Sequence, residues 1–192
     1  MLRHDYDRSF VAYVSCSAPG LEGYLDCARL AEREERAVRI ADDSLIVHAL
    51  DADEPHLFWF RCMVDDARER HYYDIQSWSR RTGRDFQSKK RHLDRDCLGY
   101  AGLYDTPASD ERLWKLMSLD EEGRFVSLDR PIQAGDTLPV RIRTRTSNIE
   151  LCASPREEVV DQWFAYVQAA AGRVLDLELK VTDVGEELLD DH

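Results

Sequence analysis

Two carboxylates and a lysine alternate near the end of the chain, in the pattern Asp176-x-Glu178-x-Lys180. Successive side chains of a strand point to opposite faces, so a strand here would place all three groups on one face. Two carboxylates at this spacing could hold Mg²⁺, with the lysine beside an activated water, as in a metal-dependent nuclease. A terminal strand with one polar face has the same pattern, and we favour that structural interpretation.

A second candidate lies in residues 68–95, here called the basic island, which carry nine Lys or Arg against four Asp or Glu. The chain as a whole has a formal net charge of −12, so the remaining residues carry −17 (−12 less +5). Aromatic rings interleave with these cations, a combination typical of proteins that bind single-stranded nucleic acid. Tyr72 and Trp78 share a helical spacing with Ile75, which favours a place in the core instead. The strongest anion-binding segment is therefore Lys89-Lys90-Arg91, which has few carboxylates nearby.

A third candidate is an arginine ladder on a predicted strand, Leu138–Thr146. Apolar or small residues alternate there with Arg141, Arg143 and Arg145, so the three guanidinium groups should line the outer face of the strand. Together with the basic island, this ladder could bind an anion or a nucleic-acid backbone.

Other chemistry has little support in the sequence. No G-x-S-x-G motif and no glycine-rich phosphate loop occurs, and the five cysteines are widely spaced without a partner pattern of Cys or His. We therefore expect no cofactor and no metal site. No apolar run approaches the roughly 18 residues of a membrane-spanning helix, and the first residues lack a signal-peptide core. We expect no membrane partner and a cytoplasmic location.

The patterning predicts an α+β fold with about eight or nine strands in largely antiparallel sheets and three main helices. The helices are expected over 19–35, over 66–82, and from Pro155 to Gly172, where Ser154 and Glu157 form a capping-box pattern. The predicted strands are Phe10–Ser17, Val38–Ile40, Leu45–Leu50, Leu57–Val64, Leu113–Leu119, Arg124–Leu128, Leu138–Thr146, Ile149–Cys152 and Val174–Val181. We expect a single globular domain over 1–192, with a soft boundary near 100–110 and no clear pattern in 84–110.

These features favour a non-catalytic, acidic protein-binding or inhibitor protein, similar in kind to an immunity protein or an antitoxin. The expected partner is a basic macromolecule, because a strongly acidic surface attracts basic partners and the many Trp and Tyr could anchor an interface. The alternative is a nucleic-acid-binding protein or metal-dependent nuclease that uses the basic island and Asp176, Glu178 and Lys180. An enzyme whose site is assembled from residues far apart in the chain is a third hypothesis. The sequence does not predict the oligomeric state.

Overall fold

The computed structural model describes residues 2–49, 55–79, 83–84, 92–105 and 112–185. Its first eight strands are β1 (Leu2–Cys16), β2 (Gly23–Arg33), β3 (Arg36–His48), β4 (Leu57–Asp65), β5 (Arg70–Ser79), β6 (Gly83–Arg84), β7 (His92–Arg95) and β8 (Ala101–Tyr104). The other eight are β9 (Trp114–Leu119), β10 (Phe125–Ser127), β11 (Thr137–Thr144), β12 (Cys152–Ala153), β13 (Glu157–Val159), β14 (Gln162–Gln168), β15 (Arg173–Val174) and β16 (Leu177–Val184).

The predicted α+β fold is wrong, because the described residues contain no α-helix and pair as antiparallel strands. The segments expected to form the first two helices contain β2 and β5 instead. Both strands bury side chains on both faces, as the consecutive run from Tyr72 to Ser77 in β5 illustrates. A strand covered on both faces loses its apolar–polar alternation, so its residues can match a helical period by chance.

The third predicted helix is also wrong, because its residues form the β13–β14 hairpin. The capping-box residues Ser154 and Glu157 precede a tight turn in which Val160 has a φ of 57°. Trp163 and Phe164, assigned to one helical stripe, instead face opposite sides of β14, paired with Glu158 and Glu157 of β13. The apparent helical stripe therefore combines apolar residues of two short strands that follow each other in the sequence.

Several predicted strands are confirmed. The β9–β10 hairpin lies where the sequence places it, around the turn after Leu119, and β11 has the predicted alternation of buried residues with exposed or half-buried ones. The two strands expected on either side of residues 41–44 form one long strand, β3, which bulges against β2 between Cys27 and Ala28. The bulge bends the β2–β3 hairpin, because extra residues on one strand increase its local twist.

Six of the strands form a closed ring. Neighbouring strands pair in the order β1, β4, β5, β9, β11 and β16, and β16 pairs back to β1. The ring closes at one pairing between Tyr73 of β5 and Trp114 of β9. The interior is apolar, and Phe10 and Phe60 stack there with ring centroids 4.8 Å apart. β9 therefore lies between β5 and β11, and we call the outer side of the β5–β9 contact the seam.

A second group of strands continues the sheet from β1. β2 pairs with β1 and β3, β3 pairs with β8 and β14, and β13 lies beside β14. A small cluster of Ala28, Leu30, Ile46 and Phe164 packs on one face of this group, separately from the main core. The strands of this group position the carboxylates and tyrosines described below.

Candidate functional site

The segment Lys89-Lys90-Arg91 lies outside the described residues, so its anion-binding role stays a prediction. Of the rest of the basic island, three described arginines are exposed: Arg68 in the turn between β4 and β5, Arg70 at the start of β5, and Arg95 at the end of β7.

Arg141 and Arg143 lie on the outer face of β11, as predicted, and Arg145 follows directly after the strand. Val140, Ile142 and Thr144 are buried on the inner face. Each ladder arginine faces a carboxylate of the chain itself. Arg141 Nε lies 2.8 Å from Asp176 Oδ1, Arg143 Nη2 lies 2.7 Å from Glu150 Oε1, and Arg145 Nη2 lies 3.5 Å from Asp65 Oδ2. Arg141 and Arg145 also stack on Phe125 and Tyr72, at 4.2 and 4.4 Å from the ring centroids. The ladder is therefore largely neutralised within the molecule.

Asp176 directly precedes β16, and Glu178 and Lys180 lie half-buried within that strand, between β1 and β11. The carboxylate of Asp176 is engaged by Arg141, and the ammonium of Lys180 lies 5.6 Å above the ring of Tyr13. Among the described residues, no group of three or more His, Cys, Asp or Glu side chains is arranged to hold a metal ion. The nuclease role of these residues stays a prediction, and their contacts supply no support for it.

A cationic pocket lies at the seam where β5 meets β9, and we call it the seam pocket. Its volume is about 230 Å³. Its lining residues come from β5, β9, β10 and the loop after β11: Arg70, His71, Tyr72, Lys115, Met117, Ser127 and Asn148. Burial lowers the pKa of Lys115, and the nearby Arg70, Arg143 and Arg145 lower it further. The pocket therefore places Arg70 of the basic island in the same lining as Lys115, near Arg143 and Arg145 of the arginine ladder.

A second surface, the tyrosine face, is formed by Tyr100, Tyr104 and Tyr166 on and beside β8 and β14. The rings of Tyr100 and Tyr166 meet edge to face with centroids 5.9 Å apart, and the hydroxyl of Tyr104 donates to the Tyr100 carbonyl at 3.3 Å. Tyr100 is 39% exposed, and the neighbouring Leu98 is 73% exposed. The face thus presents aromatic and aliphatic surface to solvent.

Carboxylates surround these tyrosines. Burial raises the pKa of Tyr166, and Glu157 and Asp42 raise it further. The pKa of Tyr104 is raised in the same way by burial and by Asp96 and Asp94. Both tyrosines therefore have carboxylates nearby that add to the effect of burial.

Only part of this negative charge is compensated locally. Arg29 Nε lies 3.7 Å from Asp42, and Arg112 Nε lies 3.0 Å from Asp94. Asp96 and Glu157 form no ion pair with any residue in the described part of the chain. Asp96 instead accepts backbone hydrogen bonds from Leu98 and Tyr100, which orders the loop that carries the exposed side chains.

Beneath the bend of the β2–β3 hairpin, Asp26 forms a buried charged network. Arg39 donates two hydrogen bonds to its carboxylate, and His48 Nε2 lies 2.9 Å from Asp26 Oδ2. Burial raises the pKa of Asp26, but the hydrogen bonds from Arg39 and His48 outweigh burial and hold the pKa well below its usual range. The network thus links Arg39, on one side of the bulge in β3, to Asp26 of β2 and His48 at the end of β3.

The same network contains serine, histidine and aspartate in the order of a hydrolase triad. Ser77 Oγ lies 3.1 Å from His56 Nε2, and His56 Nδ1 lies 3.6 Å from Asp26 Oδ1. The Asp26 carboxylate is already committed to Arg39 and His48, and Ser77 is only 5% exposed in the middle of a paired strand. A nucleophile needs access to its substrate and a base oriented by the carboxylate, so we assign this arrangement a structural role.

Sequence reasoning missed Lys115 and the three tyrosines of the tyrosine face. Lys115 is half-buried in the strand Trp114–Leu119, where a single lysine among apolar residues does not indicate a binding site. Tyr100 lies in the stretch without a readable pattern, and Tyr166 was assigned to a helical segment. Their proximity depends on the pairing of β14 with β3 and of Tyr100 with Gln168, which no local pattern encodes.

Comparisons with known proteins give no relative: no family model, no curated protein and no solved structure matches this chain. In the described part of the chain, no helix is long and apolar enough to cross a membrane.

Proposed function

We propose that this chain is a binding or inhibitor protein that engages a basic macromolecular partner through the tyrosine face. The observation that carries the proposal is the combination of exposed Tyr100 and Leu98 with Asp96 and Glu157, whose charges no described cation neutralises. Tyrosines are frequent energetic anchors of protein interfaces, and complementary charge steers association and selects the partner. The formal net charge of −12 acts in the same direction.

The contacts of the cationic side chains favour this proposal over binding to a long polyanion. The ladder residues Arg141, Arg143 and Arg145 already face carboxylates, so binding a nucleic-acid backbone would require those pairs to break. A nucleic acid would also approach a chain whose overall charge repels it. Nucleic-acid binding through Lys89, Lys90 and Arg91 remains the alternative.

Affinity capture from the source cells tests the proposal. The immobilised parent chain is expected to retain a basic protein, and the double variant Tyr100→Ala/Tyr166→Ala is expected to lose at least about 2 kcal/mol of binding free energy, as for hot-spot residues. Tyr6→Ala is the matched control, because Tyr6 is 41% exposed on a different strand, β1. An acidic partner, or equal loss of binding in the control, would contradict the proposal.

A further inference from the structure

The register of the closed ring places two cations directly opposite each other on the outer face of β9 and β11. Lys115 pairs with Arg143 across this antiparallel ladder. Like charges at directly opposed positions destabilise a sheet. Arg143 is offset by Glu150, but Lys115 donates only to the side-chain oxygen of Asn148 and forms no ion pair among the described residues. The fold therefore holds an uncompensated ammonium group where a neutral residue would be more stable.

A second uncompensated cation lines the same pocket. Arg70 is exposed at the start of β5 and likewise forms no ion pair among the described residues. Asp65 lies opposite Arg70 in the β4–β5 register, but its carboxylate faces Arg145 at 3.5 Å and Arg68 at 3.9 Å, and Asp129 faces Arg8 at 2.9 Å and His71 at 3.3 Å. The charge at the mouth of the pocket is therefore positive, within a molecule that is acidic as a whole.

The seam pocket has the size and donors for one small anion. Its volume of about 230 Å³ is below the roughly 300–1,000 Å³ usual for drug-sized ligands, but it can hold a tetrahedral oxyanion with a few attached atoms. Lys115 supplies a point charge, Arg70 a planar fork of donors, and Ser127 and Asn148 neutral hydrogen-bonding groups. This set suits an oxyanion with several acceptor oxygens better than a monovalent halide.

We propose that the seam pocket binds the phosphate group of a small phosphorylated molecule, with Lys115 and Arg70 as its charged ligands. The dianion would supply the countercharge that the Lys115–Arg143 pairing lacks. This site lies on β5, β9 and β10, whereas the tyrosine face lies on β8 and β14, so the inference is independent of the proposed protein partner.

Calorimetric titration with inorganic phosphate, and separately with a nucleoside monophosphate, tests the inference and distinguishes free phosphate from a phosphate ester. Both titrations are run against sodium chloride of equal ionic strength. The parent chain is expected to bind phosphate, and Lys115→Met to bind it about tenfold more weakly, the cost of one hydrogen bond to a charged group. Lys180→Met is the matched control, because it removes the same charge from β16, away from the pocket.

Three further measurements keep the test independent of folding defects. Lys115→Met should remain folded and melt no lower than the parent, because it removes one of two opposed cations. Arg70→Gln should weaken phosphate binding without touching the core. In the parent chain, the Nζ resonance of Lys115 should report a rise in the pKa of this group when phosphate is added.

Three results would overturn the inference. The first is a phosphate response no larger than that of chloride at equal ionic strength. The second is a Lys115→Met variant that binds as the parent does. The third is a single-stranded oligonucleotide that binds far more tightly than the mononucleotide with a steep salt dependence, which would assign the pocket to a nucleic-acid surface instead.

Discussion

At the scale of single residues, the charged side chains fall into two groups: those that form an ion pair within the molecule and those that do not. Asp176 and Arg141 bind each other, although the sequence suggested a metal ligand and an anion-binding residue. Asp96, Glu157, Arg70 and Lys115 form no ion pair among the described residues. Of these four, only Arg70 belongs to a segment that the sequence pattern singled out as a candidate site.

Asp26→Asn should expose the energetic role of the buried network. The variant leaves Arg39 and His48 without their anion, and we expect a loss of about 3 kcal/mol of unfolding free energy at neutral pH, the low end for a buried pair because Arg39 is partly exposed. Denaturant unfolding measures this loss. Asp183→Asn, an exposed carboxylate on β16, is the control and should change stability little.

The same variant predicts a pH dependence. The folded-state pKa of Asp26 is depressed, so its contribution is present above the unfolded-state pKa of about 3.9 and is lost as pH falls toward the folded-state pKa. The stability difference between parent and Asp26→Asn should therefore be constant at neutral pH and shrink below about pH 4. A difference that persists unchanged into acid would contradict the assignment of a charged Asp26.

At the scale of elements, the β13–β14 turn stores local strain. Val160 is a β-branched residue with a φ of 57°, a conformation that few side chains tolerate. Val160→Gly should stabilise the fold by about 1 kcal/mol, because relief of this strain exceeds the added entropy of the unfolded chain. Thermal unfolding measures the change.

Val126→Gly is the matched control for this turn. Val126 is similarly exposed but lies within β10, where glycine should cost stability by about 0.5–1 kcal/mol. Equal destabilisation by both variants would contradict the strained turn.

The elements also show which parts of the fold the sequence could predict. β11 and the β9–β10 hairpin were predictable because each has one covered face or a clear turn. β2, β5 and β14 bury residues on both faces, and their apolar residues matched a helical period equally well. Single-sequence periodicity cannot separate these cases, because burial of the second face depends on strands that are distant in the chain.

The candidate surfaces were less predictable than the strands. The outward orientation of Arg141, Arg143 and Arg145 followed from alternation alone, but the carboxylates that face them come from β4 and from residues 150 and 176. Lys115 enters the seam pocket only because β5 pairs with β9 to close the ring. Such sites are set by topology, which no local pattern in this chain encodes.

At the scale of the whole molecule, the seam pocket and the tyrosine face carry opposite charge. The seam pocket on β5 and β9 is cationic, and the tyrosine face on β8 and β14 is acidic. A basic partner should therefore be drawn to the tyrosine face and repelled from the seam. The overall excess of negative charge extends this steering beyond the contact itself.

The proposed binding of a basic partner at the tyrosine face is tested by kinetics. The association rate of the purified captured partner is measured with the parent chain, Glu157→Lys and Glu121→Lys, over a range of ionic strength. Glu121 is the matched control, an exposed carboxylate in the β9–β10 turn. We expect a rate that falls with added salt, and a larger reduction by Glu157→Lys than by Glu121→Lys. Rates that are independent of salt, or equal for the two variants, would contradict the proposal.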